Sequence, residues 1–331
     1  MEIIFDKSSL SDSLYQSSVD DDFAEKESLS VSSIDESSLH YTKFDFSHPS
    51  CFVFIDGTVQ HITSGKIKTE NSDVSFDVFF MCVAAGYDNG KLIGTKISKF
   101  LLLYCDYPNQ LDIKDVLPNI RSEGQSNYFS DYKVIQVPKE KGMLEHAVNL
   151  LREEEFEFLY WFCKNGALSD GKYIVVIDGN IRLKKLKDEI ENFIVVGVVK
   201  NPLNLYQAEN EIRDLMSGFR TKLFKVKDQK SSKSKFSFFL RLGQDELKTN
   251  EFDFLRIDFI GKPFENLAYA VYFSDFIKNK ILSFSSSIGE RAPKNLVPFR
   301  ILEKRIRAVL GNENIRRRKA EEELKRIFQY P

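Results

Sequence analysis

The stretch YIVVIDG, residues 173–179, is a continuous apolar run that ends in Asp-Gly, and FVFIDG, residues 52–57, repeats this pattern earlier in the chain. A short uninterrupted apolar run predicts a β-strand that is buried on both faces. Residues at strand ends commonly form the sites of α/β folds, and a following glycine lets another group approach the backbone closely. Asp56 and Asp178 are therefore candidate site residues. The alternative at each position is a simple Asp-Gly turn.

The sequence around these runs predicts a sheet that opens with antiparallel strands. Residues 58–68 alternate between apolar and polar, which predicts a hairpin partner for the strand at 51–56. Two more strands are predicted on either side of the turn Asp88-Asn89-Gly90. Further elements are predicted downstream: a charged helix at 182–192, a buried strand at 193–201, a basic loop at 229–235, late strands or a strand and a helix within 252–276, and basic helices at 296–311 and 313–329.

The clearest helix is predicted at residues 143–165, MLEHAVNLLREEEFEFLYWFCKN. Its apolar residues recur at three- and four-residue spacing and so share one stripe: Leu144, Val148, Leu151, Phe158 and Phe162. Glu155 falls on this stripe, and a buried carboxylate needs a cation or hydrogen bonds to compensate it. If the helix phase differs by one residue, Glu155 is a flanking residue, and Glu154 and then Glu157 are the next candidates.

Strand-Asp, antiparallel strands, helix-Glu and strand-Asp, in that order, describe an RNase H-like α/β fold, a mixed sheet flanked by helices. Three converging carboxylates, those of Asp56, Glu155 and Asp178, offer the hard oxygen ligands that suit Mg²⁺ or Mn²⁺ better than Zn²⁺. Two such ions would activate a water and stabilise the leaving oxygen in phosphodiester cleavage. The pattern thus predicts a metal-dependent nuclease.

Composition limits the other possibilities. Residues 1–50 carry 11 acids and three lysines, which leaves 44 basic against 38 acidic side chains for the rest of the chain. We expect a mobile, acidic, Ser-rich arm at residues 1–48 that can include one short helix, and a mildly basic body compatible with a nucleic acid. The four cysteines form no C-x-x-C pair, and no apolar run is long enough to span a membrane. A cytoplasmic location is expected.

Four segments together resemble the successive motifs of the NurA nucleases: VFIDGTVQ, LLREEEFEFL, YIVVIDGNI and FIVVGVVKNPL, all within residues 50–205. The family pattern is an Ile-Asp-Gly-Ser-like strand, an Arg-x-x-Glu helix, a Leu-Asp-Gly strand and a hydrophobic strand that ends in Lys. Because each motif is short, their order carries most of the specificity.

The resemblance implies that residues 49–331 form a Mn²⁺- or Mg²⁺-dependent deoxyribonuclease that processes single- or double-stranded DNA ends. It further implies a homodimer that works beside a HerA-type hexameric ATPase. Asp56 and Asp178 match the metal-binding aspartates, and Glu155 matches the helix glutamate through its register with Arg152. Lys200 matches the lysine after the fourth strand, where it would neutralise the scissile phosphate; the alternative is a surface lysine.

The chain departs from the family pattern near its end, where residues 296–305, LVPFRILEKR, lack the expected aromatic pair and histidine. Glu303 is a candidate substitute for the missing acid. Asp258 is another late candidate ligand, and its alternative is a structural role. Basic residues at 291–307 and 315–319 suit phosphate contacts, or else they are solvated helix faces. A non-catalytic NurA-like subunit that binds DNA or the ATPase, and a nuclease acting on RNA, are the competing functional hypotheses.

Overall fold

A computed structural model describes most of the chain. The described residues are 2–6, 29–38, 51–68, 73–105, 132–138, 143–165, 173–242, 254–285 and 296–329. They form one mixed sheet of 11 strands with helices against both faces, which confirms the α/β class with a mixed sheet.

The strands are Glu2–Phe5 (β1), Leu29–Ser33 (β2), Cys51–Lys68 (β3), Asp73–Tyr87 (β4), Leu92–Cys105 (β5), Tyr132–Pro138 (β6), Tyr173–Asp178 (β7), Ile194–Val199 (β8), Phe224–Asp228 (β9), Ser234–Arg241 (β10) and Phe254–Ile260 (β11). Their order across the sheet is β2-β9-β10-β11-β8-β7-β3-β4-β5-β6, and β1 also pairs with β3. The pairs β3–β7, β7–β8 and β5–β6 are parallel, and the others are antiparallel.

The α-helices are Met143–Lys164 (α1), Glu209–Arg213 (α2), Leu267–Phe284 (α3), Val297–Leu310 (α4) and Glu313–Gln329 (α5). Helix α1 packs on one face of the sheet, while α3 and α4 cover the other. The prediction of α1, α4 and α5 is confirmed, and the region 252–276 is a strand followed by a helix. Within the described residues, no helix is both long enough and apolar enough to cross a membrane.

The predicted hairpin between residues 51–56 and 58–68 is wrong. Strand β3 runs without a break through Asp56 and Gly57 for 18 residues. It pairs with β4 from Val53 to Lys68, with a single irregularity near His61. The long antiparallel partner supplies hydrogen bonds on both sides of Asp-Gly, and this outweighs the local preference of that dipeptide for a turn.

Two other predictions need correction. Residues 182–192 form two short 3-10 helices, Leu183–Lys185 and Asp188–Asn192, instead of one charged α-helix. The basic loop predicted at 229–235 is shorter, because β10 begins at Ser234 and places Lys235 in the interior. The turn at Asp88-Asn89-Gly90 is confirmed: the Gly90 amide donates to the Tyr87 carbonyl at 2.8 Å.

Two parts of the N-terminal arm are described. Strand β1 pairs with the far end of β3, and β2 pairs with β9 at an edge of the sheet. A 3-10 helix at Glu36–Ser38 follows β2. The remainder of residues 1–48, where a mobile arm is predicted, lies outside the described residues.

Candidate metal centre

The parallel pairing of β3 with β7 places the two aspartates side by side. Ile55 lies opposite Ile177 in this register, so Asp56 and Asp178 follow as neighbours on adjacent strands. The backbones of such strands lie about 5 Å apart. Strand β7 ends at Asp178, whereas β3 continues past Asp56. The sheet therefore has a notch beside Asp56, which we call the β3–β7 notch.

Glu155 reaches this notch from α1. The Cβ that Gly57 lacks would lie 2.8 Å from Glu155 Oε1 and 2.8 Å from Leu151 Cδ1. A side chain at position 57 would thus collide with the helix, and the absence of one lets the glutamate carboxylate lie against the β3 backbone. Alternation along β3 directs Asp56 to the opposite face of the sheet, and the charge of Glu155 acts on Asp56 across the notch. We call Asp56, Glu155 and Asp178 the carboxylate cluster.

Arg152 joins α1 to the end of β7. Its Nη1 donates to Glu155 Oε2 at 2.8 Å and to the backbone carbonyl of Asp178 at 2.6 Å. Its guanidinium lies 3.3 Å from the position that a Cβ on Gly179 would occupy. Gly179 has φ +118°, a conformation that side chains disfavour, so glycine both permits the turn and leaves room for the arginine.

Lys200 contacts the cluster from the end of β8. Its Nζ lies 2.5 Å from Asp178 Oδ2, and 5.3 Å from the centre of the Phe299 ring on α4. The side chain is 18% exposed. Its placement against Asp178 favours a site lysine over a surface lysine, the alternative that the sequence left open.

The acids of the cluster repel one another. Burial raises the pKa of Asp56 well above its ordinary value, and the charges of Asp178 and Glu155 raise it further. Lys200 and the Gly57 amide, which donates to Asp56 Oδ1 at 2.8 Å, oppose this only in part. Three acids thus face two cations, Arg152 and Lys200, and the pKa of Asp56 shows that the balance remains unfavourable for its ionised form.

The phase of α1 separates the three candidate glutamates. Glu155 lies at the notch, Glu157 is exposed, and Glu154 is buried toward β5 and β6. Ser98 Oγ donates to Glu154 Oε2 at 2.6 Å, Lys96 lies 2.8 Å from the same oxygen, and Lys133 also pairs with this carboxylate. Although burial opposes its ionisation, these partners hold the pKa of Glu154 below its usual range. Glu154 thus anchors one side of α1 to β5 and β6, while Glu155, the next residue, lies at the notch.

This role predicts the effect of Glu154→Gln. The variant should lose about 1–3 kcal/mol of unfolding free energy at pH 7, measured by urea denaturation, because two ammonium groups lose their anion. Since the folded-state pKa is lowered, the contribution is present above the unfolded-state pKa and is lost as the pH falls through the folded value. The difference from wild type should therefore shrink at acidic pH.

The neighbouring acid provides the control. Glu153 pairs with Lys185 at the surface, with side chains 51% and 41% exposed. Glu153→Gln should therefore change stability by less than about 0.5 kcal/mol. Equal losses in the two variants would contradict the assigned role of Glu154.

The late acidic candidates do not join the cluster. Glu303 forms an ion pair with Arg307 one turn away, at 2.5 Å, on the outer part of α4. Asp258 is completely buried and binds Ser237 at 2.7 Å, Lys235 at 3.0 Å and Arg256 at 3.1 Å. These donors occupy both carboxylate oxygens, so the contacts favour a structural role for Asp258 over the role of a metal ligand.

The basic C-terminal residues form several ion pairs within their own helices. Arg317 pairs with Glu321 at 2.9 Å, and Arg318 pairs with Glu322 at 3.1 Å, each one turn along α5. These contacts favour the solvated-helix interpretation for these two arginines. Arg316 instead turns toward the sheet and binds the side chain of Gln60 on β3.

The donor chemistry of the cluster fits a hard divalent cation, because all three side chains offer carboxylate oxygens. In this conformation, however, the three carboxylates are not all available to a metal. Arg152 holds one oxygen of Glu155 and Lys200 holds one oxygen of Asp178. Within the part of the chain that the structure describes, no group of three or more His, Cys, Asp or Glu side chains is arranged to hold a metal. A bound cation would have to displace one or both basic groups.

Arg152 is a member of the candidate site that the sequence pattern did not predict as one, since it was used only to set the register of the helix glutamate. Its spacing of three residues from Glu155 was the available signal, because such pairs lie on one helix face. Its second contact, to the backbone beside Asp178, depends on how α1 lies across the sheet.

No model of a known protein family matches the chain, and neither does any curated protein. The chemistry of the side chains at the β3–β7 notch is therefore the basis for assigning a function.

Proposed function

We propose that the chain is a Mn²⁺- or Mg²⁺-dependent nuclease of the NurA type, with an RNase H-like fold, that hydrolyses phosphodiester bonds in DNA. The observation that carries this proposal is that Asp56 and Asp178 are neighbours on two parallel strands beside one notch in the sheet, and that Glu155 on α1 lies against Gly57 at the same notch. The raised pKa of Asp56 supports it, because strongly perturbed acids cluster at functional sites.

The strand order supports the RNase H-like part of the proposal. The segment β5-β4-β3-β7-β8 has three antiparallel strands followed by two that run parallel to β3, with α1 as the connection before β7. This is the arrangement an RNase H-like sheet requires. The remaining strands, β9 to β11, extend the sheet beyond β8.

In this proposal Asp56, Glu155 and Asp178 hold the metal. A bound divalent cation supplies an activated water and charge stabilisation for the leaving oxygen. Lys200 turns from Asp178 toward the scissile phosphate and neutralises part of its charge. Arg152 keeps Glu155 and the end of β7 in a fixed relation through its two hydrogen bonds.

The second candidate function is a non-catalytic subunit that binds DNA or a hexameric ATPase. The pairing of Arg152 and Lys200 with two of the three carboxylates favours this alternative, because the basic groups occupy oxygens that a metal needs. The HerA-type ATPase partner, the homodimer, the action on DNA ends and the cytoplasmic location remain proposals from the family resemblance.

Incubation with labelled nucleic acids tests the proposal. The purified chain should degrade single- or double-stranded DNA with Mn²⁺ or Mg²⁺, and it should be inactive with a chelator. If the chain cleaves RNA and not DNA, its substrate is RNA. Binding of DNA without cleavage under all metal conditions would contradict the enzyme and support the non-catalytic subunit.

A further inference from the structure

A second charged cluster, separate from the notch, lies entirely inside the protein. Lys235 on β10 and Arg256 and Asp258 on β11 all have 0% exposure. Ionised side chains are costly to bury, and a group with two cations and one anion is not neutral. We call Lys235, Arg256 and Asp258 the buried hub.

Asp258 is the centre of the hub. Its Oδ1 accepts from Ser237 Oγ at 2.7 Å and from Arg256 Nε at 3.1 Å. Its Oδ2 accepts from Lys235 Nζ at 3.0 Å and from Arg256 Nη2 at 3.3 Å. Although burial opposes ionisation, the charges of Arg256 and Lys235 hold the pKa of Asp258 below its usual range. Asp258 is therefore held in its ionised form, and four hydrogen-bond donors surround its carboxylate.

Lys235 connects the hub to the turn that follows Asp178. An ammonium group has three donors, and Lys235 directs one to Asp258, one to the Ile181 carbonyl at 3.0 Å and one to the Asn180 side chain. Asn180 is two residues beyond Asp178. The position of this turn, and with it the end of β7, thus depends on Lys235.

Arg256 connects the same hub to the loop that follows Lys200. Its Nη1 donates to the Asn204 carbonyl at 3.3 Å, and its guanidinium lies 5.1 Å from the centre of the Tyr206 ring. Tyr206 and Gln207 have φ values of 52° and 63°. Two consecutive non-glycine residues in this conformation are strained and persist only where their surroundings hold them.

We propose that the buried hub positions the metal centre, by holding the turn after Asp178 and the loop after Lys200 at a fixed separation. The proposal rests on the nuclease function proposed above. Lys200 and Asp178 meet at 2.5 Å, and each belongs to a segment that one hub cation holds. Lys235 and Arg256 are positioning residues, because they contact residues that follow Asp178 and Lys200 and not these two side chains themselves.

Lys235→Met tests the proposal by direct titration of Mn²⁺, followed by electron paramagnetic resonance, on the purified full chain. Methionine keeps most of the length and leaves Asp258 paired with Arg256, but it releases Asn180 and Ile181. We expect the dissociation constant for Mn²⁺ to rise about 10-fold, the lower end of the loss seen when a direct partner of a metal ligand is removed, because Lys235 acts one residue further out. Cleavage should recover at high Mn²⁺ concentration.

Ser237→Ala is the matched control. It removes one of the four hydrogen bonds to Asp258, in the same buried cluster, but touches neither the turn nor the loop. It should lower the midpoint of thermal unfolding and leave the Mn²⁺ dissociation constant unchanged. If Lys235→Met does not fold, Asn180→Ala provides the same test, because it removes one of the three acceptors of Lys235.

The outcomes separate the two proposals. If wild type binds Mn²⁺ and Lys235→Met binds it equally well, the positioning role is overturned and the nuclease proposal stands. The same conclusion follows if Ser237→Ala weakens Mn²⁺ binding as much as Lys235→Met does. No Mn²⁺ binding by the wild-type chain overturns both. Weakened binding in Lys235→Met or Asn180→Ala with normal binding in Ser237→Ala supports the positioning role.

Discussion

Asp56→Asn is expected to abolish metal-stimulated cleavage and at the same time to make the metal-free protein more stable. The loss of activity should exceed about 100-fold, because a direct ligand is lost and even an outer partner of a ligand costs up to that factor. The gain in stability follows from the raised pKa of Asp56. Asparagine has a similar shape, can still accept from the Gly57 amide and carries no charge to be buried beside Asp178 and Glu155.

The pH dependence of this gain has a defined sign. A folded-state pKa above the unfolded value means that the unfolded chain releases its proton first, so wild type loses stability as the pH rises above the ordinary value of 3.8. In chelator, the midpoint of thermal unfolding of Asp56→Asn should therefore exceed that of wild type at pH 7. The difference should vanish below about pH 4.

Asp77 on the neighbouring strand β4 is the control for a buried acid with a structural role. Its Oδ1 lies 2.7 Å from His61 Nε2, and both side chains are buried. Asp77→Asn should lower the midpoint of thermal unfolding and preserve cleavage. Should Asp56→Asn behave in the same way, Asp56 would not be a site residue.

Gly197→Ala is expected to lower both the free energy of unfolding and the rate of cleavage, although residue 197 has no side chain that could act in the reaction. A Cβ there would lie 2.6 Å from the Gly179 carbonyl oxygen and 3.0 Å from Ile181 Cγ1. Because the first of these is a backbone atom, the turn after Asp178 itself must move. We expect a loss of about 1–3 kcal/mol of unfolding free energy, the usual cost of overpacking. Cleavage should fall about 100-fold, since a shift near 1 Å at a site has that effect.

Gly94→Ala in β5 provides the comparison. The nearest atoms to its added Cβ would be the rings of Phe158 at 3.6 Å and Phe162 at 3.7 Å, which are ordinary contacts. Urea denaturation and the nuclease assay should show stability within about 0.5 kcal/mol of wild type and unchanged cleavage. A Gly197→Ala variant as stable and active as Gly94→Ala would exclude the close packing of the turn on β8.

The elements with strong local signals were predictable. The helix at Met143–Lys164 carries an apolar stripe across its whole length, and the turn at Asp88-Asn89-Gly90 has residues that favour tight hairpins. At 182–192 the sequence predicted one charged helix, and the structure has two short 3-10 helices instead. Leu183, Leu186 and Ile190 are buried, yet short 3-10 helices satisfy that spacing as well as an α-helix does.

The sequence by itself determined the chemical types at the candidate site and their order along the chain: an aspartate in each of two apolar strands, a glutamate in the helix between them, and a lysine after the next strand. These follow from residue identity and local periodicity. The sequence could not determine which glutamate faces the notch, because successive helix residues differ by about 100° and a small error in phase selects another face.

Only the tertiary structure decided that Asp56 lies within a continuous strand, that Arg152 and Lys200 hold two of the three carboxylates, and that Lys235 is buried beneath the turn after Asp178. Each of these depends on contacts between residues that are distant in the chain. Strand register and helix rotation are set by the packing of the whole sheet, and the burial that raises the pKa of Asp56 exists only once that packing has formed.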